Sequence, residues 1–293
     1  MPLHRLYGLI VQADRALPAP AAEGAPDITI TTHTARKPGR LPANSRGYSY
    51  ELQEDGSIHV SWSELFDFVV NADGSRIDVY SGAARDREPA YTYLVSQVIS
   101  VALLQKHIES LHAGAIGING QAIALLGESG RGKSTLTAHL LQSGAHLITD
   151  DLLVLSEESG HYFAVPGASR IKLDPAVGAA LRLSWSHTPM LDSSGKDVWF
   201  VPQTSCALAN TPLARICLLE PGTASVQIET MNAAEATRVL LGATFNPLHT
   251  EPERLQHLLL AAERLVRAVP VQRLSVPRSL DRLPDVSALL RSL

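Results

Sequence analysis

The sequence predicts an α/β protein: a P-loop nucleotide-binding core preceded by an antiparallel β module. Two observations carry this. Residues 123–135 read IALLGESGRGKST, with Gly127, Gly132, Lys133 and Ser134 in the Walker A spacing G-x-x-x-x-G-K-[ST]. The first hundred residues are instead short alternating or β-branched runs separated by turn residues, and helical periodicity begins only at about Pro89. The expected division is 1–88 for a β-rich module and 89–293 for the nucleotide-binding domain.

In the module, Asp27–Thr32, Tyr48–Leu52, Ile58–Trp62, Phe66–Val70 and Ile77–Tyr80 read as strands, with Asn71–Ser75 as a turn. The Pro/Gly-rich stretches APAAEGAP and RKPGRLPANSRG read as loops. Leu94, Val98, Val101, Ala102 and Gln105 describe a helix leading to a turn at His112. Ile123–Leu126 reads as a buried strand, and Leu136, Leu140 and Leu141 give the helical spacing expected after the loop. The apolar run His146–Thr149 ends in Asp150-Asp151.

Further on, Leu152–Leu155 and Tyr162–Val165 flank Glu157-Glu158-Ser159-Gly160 as a hairpin, and Asp174-Pro175 has the form of a helix start. Arg215–Glu220 and Ser225–Thr230 read as strands paired around Pro221-Gly222. Asn232 and Glu235 have the spacing of a capping box for a helix through Leu241. Pro252–Val269 reads as an amphipathic helix whose Leu255/Leu258/Leu259/Leu265/Val266 stripe is expected in the core, Val271–Val276 as a strand and Asp285–Leu293 as a last helix.

The loop Gly127, Glu128, Ser129, Gly130, Arg131, Gly132, Lys133, Ser134, Thr135 carries the chemistry of phosphate binding. Its glycines let successive backbone N–H groups converge on phosphate oxygens, Lys133 reaches the terminal phosphates, and the Ser134 hydroxyl can ligate Mg²⁺. The helix behind it adds the positive end of its dipole. Asp150 and Asp151 are placed to share two tasks, one holding Mg²⁺ and the other accepting the proton of an incoming hydroxyl. Successive residues of an extended strand point to opposite faces, so both carboxylates reach one site only if the strand ends or bulges there. Which aspartate takes which task stays open.

Leu111-His112-Ala113-Gly114, GESGRGKST and ITDD together resemble the catalytic domain of HPr kinase/phosphorylase, a bacterial serine kinase whose nucleotide core is similar to that of phosphoenolpyruvate carboxykinase. The resemblance implies that fold, ATP and Mg²⁺ as cofactors, and catalytic roles for His112, Lys133, Asp150 and Asp151, with His112 assisting the catalytic carboxylate. It covers roughly residues 108–175. The family's glycine-rich RGLGIINV element is absent, and VPGASRIKLDPA stands in its place. That pattern is closer to HPr-kinase-related proteins found with peptide-modifying enzymes, including lasso peptide kinases. The expected activity is ATP-dependent phosphorylation of a serine in a peptide or small protein, with a lasso-type precursor favoured. An HPr-type regulatory kinase and a non-catalytic nucleotide switch are the alternatives.

Arg170 and Lys172 alternate with Ile171 and Leu173, so both lie on one strand face and could meet phosphate or a peptide carboxylate; a solvated face is the plain alternative. Residues 184–197 form a polar stretch that reads either as a loop over the site, with Lys196 touching phosphate, or as an exposed hairpin turn.

At 293 residues and 45% hydrophobic content, the chain can bury a large core. Net charge −4 with no basic stripe argues against nucleic acid as a partner. Cys206 and Cys217 have no metal spacing and are expected to be reduced. The amino-terminal apolar stretch is too short and interrupted for a signal peptide or membrane span, so a cytoplasmic protein is expected. Self-association is left open.

Overall fold

The computed structural model describes residues 1–34, 48–62, 66–80, 88–190, 194–222, 225–246 and 250–293. The RKPGRLPANSRG stretch falls wholly outside the described residues, as does part of the 184–197 segment. The chain forms two compact units, Met1–Glu109 with Met190–Ser194, and Ser110–Pro189 with Gly195–Leu293.

In the first unit the described strands are β1 Leu3–Leu6, β2 Leu9–Ala13, β3 Ile28–His33, β4 Tyr48–Leu52, β5 Ile58–Trp62, β6 Phe66–Val70 and β7 Arg76–Tyr80. They form one sheet in the order β1-β2-β3-β7-β6-β5-β4. The expectation of an antiparallel module is corrected: β2 with β3 and β3 with β7 pair in parallel. Residues 14–27 carry the chain back before β3 begins, which leaves β3 running in the direction of β2. The sequence reading also missed β1 and β2, joined by Tyr7-Gly8 at φ 52° and 82°, the signature of a type I′ turn.

Glu88–Tyr93 (α1), a π-helical turn Leu94–Val98 and Ile99–Gln105 (α2) follow as one helical run. They cluster with the first unit, so the division falls after Glu109 and not at 88/89. The cause is packing. The Tyr7 hydroxyl donates to Val95 O at 2.9 Å, Gln105 Nε2 donates to Gly56 O at 2.9 Å, and the Trp62 and Tyr93 rings lie 4.9 Å apart.

The second unit is a layered α/β fold. Its strands begin with β8 Ser110–Leu111, β9 Gly114–Ile118 and β10 Gln121–Leu126, followed by helix α3 Lys133–Gln142. Next come β11 His146–Thr149, β12 Leu153–Glu158, β13 His161–Val165, β14 Arg170–Leu173, helix α4 Pro175–Ala180, β15 His187–Pro189, β16 Asp197–Phe200 and β17 Thr211–Gly222. The remainder is β18 Gln227–Thr230, α5 Ala233–Gly242, α6 Pro252–Ala268, β19 Val271–Pro277 and α7 Leu283–Ser292. The main sheet runs β11-β9-β10-β17-β13-β12-β8, with β19 pairing β17 and β18.

Strand β10 lies between β9 and β17, and its residues from Ala122 to Leu126 are buried. Alternation divides them between two layers. Ala122, Ala124 and Leu126 join the core with α5 and α6, whereas Ile123 and Leu125 pack with Leu136 and Leu140 of α3 and Val286 and Leu290 of α7. On its other side α3 meets a small sheet, β14-β16-β15, through Ala138 and Leu141 against Ile171, Leu173 and Trp199. The helix therefore couples the strand that enters the loop to the sheet that carries Arg170 and Lys172.

Three expectations for this unit are corrected. The 215–220 and 225–230 runs do not pair with each other, because β19 lies between them, parallel to β17 and antiparallel to β18. The chain returns through α5 and α6, and β19 buries Val271 toward those helices and Leu274 toward α3 and α7. The leucine stripe of α6 is also only partly core: Leu255 and Leu259 are exposed, because the buried face turns on Ala262 and Leu265. At the start of α5, Asn232 accepts from Glu235 N at 3.0 Å, but the Glu235 carboxylate pairs with Arg273 instead of returning to the cap.

Candidate active site

The connection from β10 to α3 is residues 127–132, where Gly127, Gly130 and Gly132 have φ of 141°, 83° and 92°. These values lie in the region that side-chain-bearing residues avoid, which is why the loop is glycine-rich. At Gly127 a Cβ would also come within 3.1 Å of Leu219 O in the neighbouring strand. Arg131 folds back on Glu128 at 2.6 Å, and Lys196 Nζ lies 3.5 Å from Ser129 Oγ.

Lys133 is 8% exposed, and its ammonium donates to Gly127 O at 2.5 Å and Glu128 O at 3.3 Å. Burial lowers its pKa, countered in part by Asp150 and Asp151. The charge is thus tucked under the loop backbone, where its hydrogen-bond partners among the described residues are neutral carbonyls. Anionic oxygens brought to the loop would meet the amides, the α3 N-terminus and this lysine together.

The acidic pair follows the end of β11. The β9–β11 register shifts between Leu147 and Thr149, and Asp151 adopts φ 78°. Thr149 Oγ1 donates to Leu152 O at 2.7 Å and closes the turn. A non-glycine residue in this region costs about 1–2 kcal/mol, and aspartate is among the residue types that tolerate it best. The bulge and turn together defeat the alternation of an extended strand, so adjacent carboxylates serve neighbouring positions.

Those positions differ. Asp150 accepts from Ser134 Oγ at 3.2 Å and from Lys172 N at 2.9 Å. Burial, and then the charge of Asp151, push its carboxyl above the usual carboxylate range. A buried carboxylate whose ionisation is disfavoured, touching the loop serine, fits a divalent cation, which would reverse that disfavour. Asp151 accepts from Lys172 Nζ at 2.5 Å and lies 3.4 Å from His112 Nδ1. Burial alone would raise it, but Lys172, His112 and Arg170 outweigh burial and hold it well below the usual range.

His112 is fixed by its backbone, which donates to Ala243 O at 2.6 Å, and its ring packs 5.7 Å from that of Phe245. Burial lowers its pKa, with Asp151 opposing. Phe245 carries no signal in the sequence, since a lone aromatic after a helix is ordinary. Arg170 is 2% exposed and the Lys172 side chain 11%, so the solvated-face alternative for this strand is set aside; both cations stand against the acids. Within 184–197 the sequence reading missed β15, where His187 Nδ1 lies 2.6 Å from Asp197 Oδ2 and stacks on Trp199.

No protein-family model matches the chain. A curated HPr kinase/phosphorylase from Clostridium botulinum (strain Eklund 17B / Type B) is 27% identical over an alignment covering 47% of this chain and 55% of that protein. The sequence likeness is to the HPr kinases. The chain spans about half the length of this HPr kinase relative, 55%. Among solved structures, the HPr(Ser) kinase/phosphatase from Coxiella burnetii aligns at a TM-score of 0.33 and 13% identity, over 62% of this chain and 94% of that one. Among the described residues no helix is long and apolar enough to cross a membrane.

Proposed function

We propose that this chain is an HPr-kinase-like phosphotransferase that moves the terminal phosphoryl group of ATP, with Mg²⁺, to a serine hydroxyl of a peptide or small protein. The observation that carries the reading is the convergence at one loop of two differently tuned carboxylates, Asp150 on Ser134 and Asp151 on Lys172 and His112.

Bound ATP·Mg²⁺ would supply the transferable phosphoryl group and a cation to screen its oxygens. The amides of residues 128–134 and Lys133 would hold the phosphates, and Ser134 with Asp150 the metal. Asp151, kept ionised by Lys172, would accept the acceptor hydroxyl's proton, and His112 would hold that carboxylate in place. Lys196, beside Ser129, and Arg170, behind the acids, would add positive charge where negative charge gathers.

For the acceptor we favour a peptide-tailoring role of the lasso type, supported by VPGASRIKLDPA standing where the glycine-rich HPr kinase element is expected. Incubation with ATP·Mg²⁺ and either a precursor peptide bearing a C-terminal serine or folded HPr, followed by mass spectrometry, tests this. Added phosphate on the peptide supports the tailoring reading, and phosphate on HPr alone moves the protein to the regulatory branch. ATP binding with no transfer to any acceptor would leave a nucleotide switch.

A further inference from the structure

Thr137 lies one helical turn beyond Lys133 on α3 and is fully buried, yet its hydroxyl has no hydrogen-bond partner among the described residues. A threonine inside a helix can bond the carbonyl four residues back. This one faces Gly114 of β9 instead. A Cβ built on Gly114 would stand 3.9 Å from Thr137 Oγ1, 3.6 Å from Asp150 Oδ1 and 3.7 Å from Thr149 O, and among the described residues beyond its chain neighbours these atoms are the nearest. The missing side chain thus leaves a small buried cradle with three oxygens on its wall. One of them belongs to the carboxylate that meets Ser134.

We propose that this cradle holds one water molecule and that, through it, Thr137 is a positioning residue for the Asp150 carboxylate. This rests on the reading of Asp150 as a Mg²⁺ partner. The groups on the wall call for water. The carboxylate and carbonyl oxygens accept and cannot bond each other, whereas the threonine hydroxyl can donate. A water accepts from that hydroxyl and donates to both acceptors, which gives it the three or so contacts a buried water ordinarily makes. Three oxygens fall short of the roughly six ligands of a hard divalent cation, and an anion would face the carboxylate. The consequence lies at the metal. Asp150 Oδ2 is held by Lys172 N at 2.9 Å, but Oδ1 meets Ser134 Oγ at 3.2 Å, itself a proposed metal partner. The water gives Oδ1 a hold that does not depend on Mg²⁺, as partners behind a ligating carboxylate commonly do.

Calorimetry with inorganic tripolyphosphate, with and without Mg²⁺, and urea unfolding test this on the full chain and on Thr137→Ser, Thr137→Val and Gly114→Ala. Wild type is expected to bind tripolyphosphate more tightly with Mg²⁺. Thr137→Val keeps the shape of the side chain without its hydroxyl, and Gly114→Ala puts a methyl into the cradle at ordinary contact distances. Both should lower the Mg²⁺ advantage by about tenfold or more while the Mg²⁺-free affinity stays. Thr137→Ser, which retains the hydroxyl, should keep the advantage. Stability supplies an independent sign. A buried hydroxyl without a partner costs free energy, so Thr137→Val would be more stable than wild type if the cradle were dry, and should be less stable if water bridges it. A Thr137→Val protein that gains stability, or a Mg²⁺ advantage unmoved in either Thr137→Val or Gly114→Ala, overturns the inference. Wild-type binding that is equal with and without Mg²⁺ overturns the reading of Asp150, and no binding at all overturns the loop reading; this inference falls with either.

Discussion

Ser134 Oγ donates to Asp150 Oδ1 at 3.2 Å, joining the end of the loop to the first carboxylate after β11. If this pair holds Mg²⁺, Asp150→Asn and Ser134→Ala should each raise the Mg²⁺ concentration needed for half-maximal turnover and lower turnover by about 10². The unfolding temperature of Asp150→Asn without metal should not fall. The folded protein holds this carboxyl above its ordinary pKa, so its ionised form opposes folding at neutral pH, and the amide removes that charge. A Mg²⁺ titration beside a thermal melt checks both. Unchanged Mg²⁺ dependence with a lower melting temperature would make the contact structural.

The same carboxyl sets a pH dependence. On that assignment protons would compete with Mg²⁺ for Asp150, and burial plus Asp151 make protonation easier than for an ordinary aspartate. Apparent Mg²⁺ affinity should therefore begin to weaken on acidification at a higher pH than an ordinary carboxylate, with pKa ~4, would set. Repeating the Mg²⁺ titration at stepwise lower pH measures it, and an affinity flat down to the ordinary carboxylate range would contradict the assignment.

Asp151 and Lys172 form a buried ion pair whose carboxylate is well below the usual range. Lys172→Met strands that charge, and breaking a buried pair from one side costs about 3 kcal/mol or more. Asp151→Asn added to Lys172→Met should recover much of the loss. The stability that ionised Asp151 contributes is present above the ordinary aspartate pKa and declines as pH falls toward its lower folded value. The gap between wild type and Lys172→Met should accordingly narrow in acid. Urea unfolding of the three proteins at neutral and acid pH measures this, and equal stability throughout would show that the pair is not coupled.

What could be read in the sequence follows from how local each cause is. Strands β4, β5 and β6 stand where alternation and turn residues place them, and Ser159-Gly160 forms the expected tight turn at φ 53° and 80°. Pairing depends on distant segments and was legible only in part: nothing within 215–230 announces that Val271–Pro277 will lie between its two strands. The helical run 88–105 has the right period, but its place in the first unit is decided by Tyr7, Gly56 and Trp62, far away in sequence. In the site, the spacing of loop and acidic pair was visible. The difference in surroundings between Asp150 and Asp151 was not, because it arises from a left-handed backbone at Asp151 and a lysine on another sheet.

The last prediction separates two glycines of the loop. Gly127 and Gly130 both have positive φ, but Gly127 lies against a neighbour, with a Cβ position 3.1 Å from Leu219 O, whereas at Gly130 none of the described residues stands within 4 Å. Gly130→Ala should therefore lose about 1 kcal/mol from backbone conformation alone and keep most of its tripolyphosphate affinity. Gly127→Ala adds a clash with a strand backbone that cannot rotate away, so the loop itself must shift. It should lose more stability and about tenfold or more in tripolyphosphate affinity. Denaturant unfolding and calorimetry on the two variants make the comparison. Equal losses at both sites would mean that the close approach to β17 does not hold the loop in shape.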